Sequence, residues 1–204
     1  MTPNLSNAGP SLSALVVGGG MITEEVVLPT VLQQKRLGKI ASVTVVSRRA
    51  STIQHLQKIF PNQLQGFPDP ATNDAEASQP DGFREAIHRL PHPGIVIVAT
   101  PDHLHTPVIL AAVEAGHHVV VEKPLCLKVA EAHQIAQAAK AKAVYVLTDY
   151  HKRHDPAIRV HAHGVPDRII YAASRAKQLA SLGLDAAGIA ERVRALHESE
   201  ALTG

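Results

Sequence analysis

The chain has 204 residues, which fits one domain of about 100 to 200 residues and part of a second. Hydrophobic residues make up 45% and charged residues 19%, which excludes an intrinsically disordered protein, and six aromatic residues (three Tyr, three Phe, no Trp) are too few for a surface that stacks single-stranded nucleic acid. The net charge of +2 indicates no particular partner, and the single cysteine, Cys126, excludes an intramolecular disulfide.

The N-terminal sequence, MTPNLSNAGPSLS, has neither the basic segment nor the apolar segment of a secretory signal. No apolar run in the chain reaches the length of a membrane span. We therefore expect a cytoplasmic protein without a membrane partner.

The chain begins with alternating strands and helices. LSALVVG, residues 12–18, predicts a buried strand, and apolar residues at helical spacing predict a helix after it. Pro29 lies inside that helical pattern and must kink or loosen the helix. ASVTVVS, residues 41–47, predicts a second strand, and Ser51 with Gln54 predicts a capping box for the next helix.

An irregular segment and then a second series of strands and helices follow. Residues 61–82 show no hydrophobic period and predict an irregular excursion. Thr106 as N-cap, Pro107 at the first helical position and Gly116 just past the end together predict one helix. The remaining predicted elements are helices over 84–90 and 129–141 and strands over 94–100, 117–123 and 143–149.

The predicted strands are apolar on both faces and alternate with helices. This pattern is typical of a parallel sheet that is covered by helices on both sides. Because crossovers between parallel strands are right-handed, we predict an α/β, doubly wound (Rossmann) fold for residues 11–150. Ligands of such sheets bind at the carboxyl ends of the strands.

The turn between the first strand and the first helix contains three consecutive glycines. Gly18 permits a tight turn, and Gly20 allows a pyrophosphate to approach the backbone. The free N–H groups at the start of the helix, at Met21 and Ile22, attract an anion. The motif G-x-G-x-x-G is incomplete, because Thr23 stands in place of its third glycine.

Two considerations weaken this interpretation. Glu24 and Glu25 repel an anion unless they point sideways from the first helical turn. A glycine-rich turn also occurs in α/β domains that bind no nucleotide. Its position directly after the first strand favours the nucleotide site.

The end of the second strand bears on which dinucleotide is bound. An acidic residue at this point would favour NAD, whereas this chain has Ser47, Arg48 and Arg49. A hydroxyl and guanidinium groups suit the 2′-phosphate of NADP. The alternative, a pair of solvated arginines, stays open, so the prediction is NADP or NAD, with NADP favoured.

Two further segments end at the same edge of the predicted sheet. ATPDHLHTP, residues 99–107, follows one strand, and VEKPL, residues 121–125, follows the next. Both segments should border the nicotinamide end of a dinucleotide at this edge. We therefore predict that Thr100 and Pro101 contact the cofactor.

These motifs resemble a known family. The glycine turn, ATPxxxHxP and AGHHVVVEKPLCL are similar to the glucose–fructose oxidoreductase, inositol dehydrogenase and rhizopine-catabolism (Gfo/Idh/MocA) family of NAD(P)-dependent oxidoreductases. The resemblance covers residues 12 to about 156 and includes DYHKRHDPA, which is similar to the family's crossing into its second domain.

The resemblance implies hydride transfer between nicotinamide and a hydroxyl carbon of a sugar, cyclitol or related compound. It also implies that Lys123 helps catalysis and contacts the cofactor, that Glu122 orients the amine, and that His105 lies near the cofactor or substrate. A lysine in a partly desolvated pocket can take the hydroxyl proton. The alternative for Glu122 and Lys123 is an ion pair at a strand end.

The other histidines carry less information. His103 is a weaker candidate for the site, and His117 and His118 are expected at a turn into a strand. The pairs His151 with His154 and His161 with His163 have spacings that could share a metal, but no third ligand accompanies them. We therefore predict no metal site.

Residues 151–204 depart from the family pattern. They are predicted to be a helical tail that is a remnant or replacement of the family's second α/β domain, which supplies substrate contacts. The chain is then truncated, inactive alone, or a non-catalytic dinucleotide-binding subunit completed by a separate chain or in a homo-oligomer. A redox-sensing, DNA-binding helix-turn-helix is a further alternative. With eight Lys or Arg against six Asp or Glu in the tail, nucleic-acid binding ranks well below the oxidoreductase.

Overall fold

The structure, a computed structural model, describes residues 12–150 and 175–201. The chain forms two compact units, Met1–His151 and Lys152–Gly204. The histidine pairs His151 with His154 and His161 with His163 lie outside the described residues.

The first unit contains one parallel sheet of six strands in the order β3-β2-β1-β4-β5-β6. β1 lies in the centre, where Val17 pairs with Val46 on one side and with Val98 on the other. This order confirms the predicted doubly wound fold. The strands are β1 Leu12–Val17, β2 Ile40–Val46, β3 Gln65–Phe67, β4 Gly94–Val98, β5 His118–Glu122 and β6 Val146–Asp149.

Five helices of the first unit follow the strands. They are α1 Leu28–Arg36, α2 Ala50–Ile59, α3 Gly82–Arg89, α4 His105–Glu114 and α5 Val129–Lys142. The second unit contains α6 Arg175–Ser181 and α7 Ala186–Ala201, with Gly183 between them at φ +67°. Among the described residues, no helix combines the length and the apolar character that a membrane span requires.

The core has two layers because the side chains of the strands alternate between the faces of the sheet. Val16 and Val45 face α1 and α2, which contribute Leu28 and Ile53 to one apolar cluster. The cluster on the other face contains Leu15, Val17, Val96 and Val98 from the strands and Ile87, Val108 and Ile109 from α3 and α4.

The irregularity predicted at Pro29 is present. A π-helical turn, Thr23–Val27, precedes α1, and Pro29 stands in the first turn of α1. Proline has no N–H to donate and its ring crowds the preceding turn, and helices are commonly disturbed at prolines and π-helical turns.

Two predicted helix caps are wrong. α2 begins at Ala50 after Arg49, without a side-chain cap, and the N–H of Ser51 donates instead to the carbonyl of Ala75 over 2.9 Å. α4 begins at His105, one residue before the predicted cap Thr106, whose hydroxyl donates to Glu131 over 3.3 Å. In both cases a contact with a distant segment replaces the local cap.

Two further boundaries differ from the prediction. The excursion at 61–82 contains the edge strand β3, whose three residues are too few to show a period. β6 begins at Val146 rather than 143, because α5 continues to Lys142 and Ala143 takes a left-handed conformation at φ +53°. The predicted helix end at Gly116, with φ +80°, is confirmed.

Candidate dinucleotide-binding site

A cavity of about 400 Å³ opens at the carboxyl edge of the sheet, beside the ends of β1, β2 and β4. The strand order reverses between β1 and β4, and doubly wound sheets bind ligands at such a point. Its volume lies within the usual range for ligand pockets. The polar and glycine residues that line it are Gly18, Gly19, Gly20, Ser47, Arg48, Thr52, Gln79, Thr100 and His103.

The glycine turn forms one wall of the cavity. Gly18 has φ +109°, and a Cβ at this position would overlap the carbonyl of Ala99. A Cβ on Gly20 would meet no atom within 4 Å, so the backbone of Gly20 faces open space. The turn therefore needs Gly18 for its own geometry, and Gly20 leaves room for a ligand next to the backbone.

Thr23, at the position of the missing third glycine, closes the turn. Its side chain is fully buried, and its hydroxyl donates to the carbonyl of Gly18 over 2.8 Å. Its N–H donates to the carbonyl of Gly20 over 3.0 Å. The incomplete motif thus forms a closed strand-turn-helix connection.

The side chains after the turn do not line the cavity. Met21 is exposed, and Ile22 packs against the core beneath α1 and α2, so any cofactor contact at these two residues would come from the backbone. The carboxylate of Glu24 lies 2.9 Å from Nε2 of His55 in α2. Glu24 therefore points sideways, and it and Glu25 leave the cavity free of carboxylates from this turn.

The two arginines after β2 have different surroundings. Arg48 lines the cavity, whereas Arg49 has its Nε 3.8 Å from a carboxylate oxygen of Glu76. The backbone at Arg48 is held by the N–H of Gln79, which donates to the Arg48 carbonyl over 2.7 Å. Of this pair, Arg48 therefore lines the cavity and Arg49 does not.

Residues from the irregular segment 61–82 and from the helices α2 and α3 complete the cavity. Gln79, Pro80 and Phe83 line it, as does Thr52 of α2, and none of these was predicted. Recognition of β3 in the sequence would have located the residues after it, because the loop after a parallel strand emerges at the carboxyl edge of the sheet. With β3 unrecognised, nothing in the sequence indicates where residues 68–81 lie.

The loop after β4 forms the opposite wall. Thr100 and Pro101 line the cavity, and so does His103, the weaker of the histidine candidates. The hydroxyl of Thr100 is buried without a hydrogen-bond partner among the described residues. Because an unpaired buried hydroxyl is costly, a ligand group that pairs with it would be favoured.

The loop after β5 reaches the same edge but does not line this cavity. Val98 pairs with Val121, so Thr100 and Lys123 follow adjacent strands at matching positions. The side chain of Lys123 is exposed and that of Glu122 is half-buried. Residues 12–150 alone therefore do not form the partly desolvated pocket expected around the amine.

His105 lies next to the cavity but does not line it. The residue is fully buried and both ring nitrogens face backbone carbonyls. Nδ1 lies 2.7 Å from the oxygen of Pro124, and Nε2 lies 2.8 Å from the oxygen of Thr100. The ring lies between two loops of the site and is not available to a ligand.

A larger cavity of about 670 Å³ lies beside β3. Four of its polar side chains are paired with each other: Gln79 donates to Asn73 over 3.1 Å, and Arg89 binds Glu85. The smaller cavity is the better dinucleotide site because it combines the open backbone of Gly20 with the unpaired hydroxyl of Thr100.

No group of three or more His, Cys, Asp or Glu side chains suited to a metal occurs in the described ranges 12–150 and 175–201. The donors at the cavity are backbone N–H groups, hydroxyls and a guanidinium. This donor set fits the phosphates and riboses of a dinucleotide.

Comparison with known proteins agrees with this geometry. Residues 12–150 match the model of the Gfo/Idh/MocA family, described as an oxidoreductase family with an NAD-binding Rossmann fold. The chain is 34% identical over 90 residues to levoglucosan dehydrogenase of Pseudarthrobacter phenanthrenivorans, covering 41% of this chain and 23% of that enzyme. It is 36% identical over 88 residues to the NADP-dependent scyllo-inositol 2-dehydrogenase IolW of Bacillus subtilis, covering 40% of this chain and 24% of that enzyme.

Solved structures support the same fold. The 3-ketoreductase KijD10 of Actinomadura kijaniata, solved with NADP and TDP-benzene, has a TM-score of 0.58 at 20% identity, covering 72% of this chain and 39% of that one. The matched region thus spans about a quarter of the curated relatives' length. The match to the family model extends over more than half of the chain. The chain therefore belongs to the Gfo/Idh/MocA family of oxidoreductases, whose Rossmann fold binds NAD.

Proposed function

We propose that this chain binds NADP or NAD in the 400 Å³ cavity and provides the dinucleotide-binding half of an oxidoreductase. The observation that carries the proposal is the glycine turn, in which Gly18 is sterically required and Gly20 faces open space. The pyrophosphate would lie against Gly20 and the N–H groups of Met21 and Ile22, where the helix begins. Thr100 and Pro101 would hold the nicotinamide half.

NADP is the favoured cofactor. Ser47 and Arg48 line the end of the cavity beside β2, where the adenosine ribose of a Rossmann ligand lies. The guanidinium of Arg48 can bind a 2′-phosphate through two parallel hydrogen bonds. Relatives of this chain include both an NADP-dependent and an NAD-dependent scyllo-inositol 2-dehydrogenase, so the family alone does not select the cofactor.

The proposed reaction is hydride transfer at a hydroxyl carbon of a sugar, cyclitol or related compound. Bound NADP or NAD would supply the hydride acceptor. Lys123 would take the hydroxyl proton, and Glu122 would orient the amine. The names of the relatives, levoglucosan dehydrogenase and inositol 2-dehydrogenase among them, support this substrate class.

Turnover would need a further surface over Lys123. Its side chain is exposed in this chain, and a proton-transferring amine works best where water is partly excluded. We propose that this cover comes from a separate chain or from a second copy in a homo-oligomer. A chain that acts alone, as a non-catalytic dinucleotide-binding subunit, is the alternative.

Titration of the purified chain with NADPH and with NADH tests the proposal. Because the chain has no Trp, the fluorescence of the reduced nicotinamide can be followed directly. We expect saturable binding of both, with NADPH bound more tightly. Absence of saturable binding to either dinucleotide would refute the proposed function.

One observation supports a second candidate function, DNA binding by the tail. The turn between α6 and α7 gives this part of the tail the helix, glycine turn and helix of the proposed DNA-binding alternative. Salt-sensitive binding to duplex DNA in a gel shift would favour it. The small excess of basic residues in the tail makes weak or absent binding the expected result.

A further inference from the structure

His105 connects two loops of the candidate site although it does not line the cavity. It is the first residue of α4, and its ring lies between the carbonyl of Pro124, 2.7 Å from Nδ1, and that of Thr100, 2.8 Å from Nε2. Thr100 lines the cavity, and Pro124 directly follows Lys123. One buried side chain therefore joins the nicotinamide wall of the cavity to the loop that carries the candidate catalytic amine.

The contacts of the His105 ring with the two carbonyls depend on which ring nitrogen carries a proton. A carbonyl oxygen accepts and never donates, so each of these hydrogen bonds needs a proton on the ring nitrogen. Either neutral tautomer keeps one of the two bonds, and the imidazolium makes both. The ring thus holds at least one of the two carbonyls in any protonation state, in a position closed to water.

The next residue of α4 holds the far side of the same loop. The hydroxyl of Thr106 donates to Oε2 of Glu131 over 3.3 Å. The same oxygen accepts the N–H groups of Leu127 and Lys128, each over 3.2 Å. Residues 124–128 are therefore linked to the start of α4 at both ends, through His105 at Pro124 and through Thr106 and Glu131 at Leu127 and Lys128. The pairing of β4 with β5 ends before this loop, at Val121.

We propose that His105 is a positioning residue, which holds the backbone at Lys123 and Pro124 at a fixed distance from Thr100 so that the amine faces the nicotinamide half of the cavity. The proposal rests on the proposed function, because it assigns the purpose of the restraint to a bound dinucleotide. It explains why a histidine that no ligand can reach is buried at this edge with a carbonyl oxygen facing each ring nitrogen.

The competing interpretation is that His105 only fills the core. In that case its loss would lower the stability of the unit without a selective effect on the loop at Lys123. His117 provides a matched control, because it is equally buried but lies before β5, at the opposite edge of the sheet. Its ring stacks on that of His92, with the ring centroids 4.1 Å apart.

The experiment compares the full chain with its His105→Leu, His105→Gln and His117→Leu variants. Leucine fills a similar volume without polar atoms, and glutamine keeps one amide that can donate to a carbonyl. Hydrogen exchange at the amides of Leu127 and Lys128 reports the loop, because their acceptor, Glu131, is unchanged in every variant. The NMR signal of the Lys123 amide, with and without NADPH, reports the position of the loop relative to the cofactor.

In His105→Leu we expect about tenfold faster exchange at these two amides, as the loss of restraining hydrogen bonds would produce. We also expect a displaced Lys123 signal that responds less to NADPH, while the dissociation constant of NADPH changes by less than about threefold because the ring is not in the cavity. His105→Gln should recover part of both effects. His117→Leu should show neither.

Equal loop exchange in the wild type and in His105→Gln and His105→Leu would overturn the proposal, as would the same acceleration in His117→Leu. Should His105→Leu fail to fold, the His105→Gln variant decides, since it must show an intermediate exchange rate at Leu127 and Lys128. Failure of the wild type to bind NADPH would instead refute the proposed function, while the exchange rates would still report whether the ring restrains the loop.

Discussion

Replacement of Arg48 by alanine tests how the site selects its dinucleotide. Arg48 lines the cavity at the end of β2, whereas Arg49 does not line it and has its Nε 3.8 Å from a carboxylate oxygen of Glu76. A hydrogen bond to a charged group contributes about 1.5 to 3 kcal/mol, so loss of the contact to a 2′-phosphate should weaken NADPH binding by roughly 10- to 150-fold. NADH lacks this phosphate, and its affinity should change by less than about threefold.

Arg49→Ala is the matched control for this prediction. The pair that it breaks is exposed on both sides, and such pairs contribute about 0 to 1 kcal/mol, so NADPH affinity should stay within a factor of about five of the wild type. Arg48→Lys keeps the charge but loses the bidentate geometry and should be intermediate. The assay is a fluorescence titration of each variant with NADPH and NADH at one salt concentration. An equal loss of affinity for both dinucleotides in Arg48→Ala, or no loss for either, would refute the assignment of Arg48 to the 2′-phosphate.

Three further predictions concern the turn, the opposite edge of the sheet and the candidate catalytic residue. Gly20→Ala should weaken NADPH binding at least about tenfold, because the new methyl group occupies the open space for the pyrophosphate, and urea unfolding followed by circular dichroism should stay unchanged. Gly18→Ala should instead lose about 1 to 3 kcal/mol of stability, because the residue has a positive φ and its new Cβ overlaps a carbonyl. Equal stability of the two variants would contradict this difference. Burial, and then the neighbouring His92, lowers the pKa of His117 below its ordinary value of 6.5. The unfolded chain therefore binds a proton at His117 more readily than the folded chain does. The contribution of His117 to stability is present above about pH 6.5 and is lost as the pH falls through the folded pKa, with a slope of at most about 1.4 kcal/mol per pH unit. Urea unfolding of His117→Leu should therefore depend less on pH between 7 and 5 than that of the wild type, and an unchanged pH dependence would contradict the assignment. Lys123→Met should change stability by less than about 0.5 kcal/mol and NADPH affinity by less than about threefold, because the side chain of Lys123 is exposed and does not line the cavity. Any turnover measured with a complementing chain should be lost in this variant. Retained turnover would refute the catalytic role of Lys123.

The sheet could be predicted because its determinants are local. The apolar runs at β1, β2, β4 and β5 and the glycine turn after β1 each identify their own element, and parallel pairing then brings their ends to one edge. The same rule placed Gly18, Gly20, Arg48 and Thr100 around one cavity.

The rest depends on contacts between distant segments, which no local pattern reveals. Gln79 reaches the cavity because its N–H binds the carbonyl of Arg48, which lies thirty-one positions earlier in the sequence. Thr106 resembled a helix cap but binds Glu131, and His105 resembled a ligand contact but is buried between two loops. In each case a tertiary hydrogen bond determines the role of a residue whose type suggested a local one.

The central claim is that the glycine turn and the loop at Lys123 meet one dinucleotide. A crystal structure of the chain with NADPH tests it most directly. We predict pyrophosphate oxygens at hydrogen-bonding distance, about 2.7 to 3.2 Å, from N–H groups of residues 20–22, with the nicotinamide beside Thr100 and directed towards Lys123. A dinucleotide bound in the cavity beside β3, or a nicotinamide directed away from Lys123, would contradict the account.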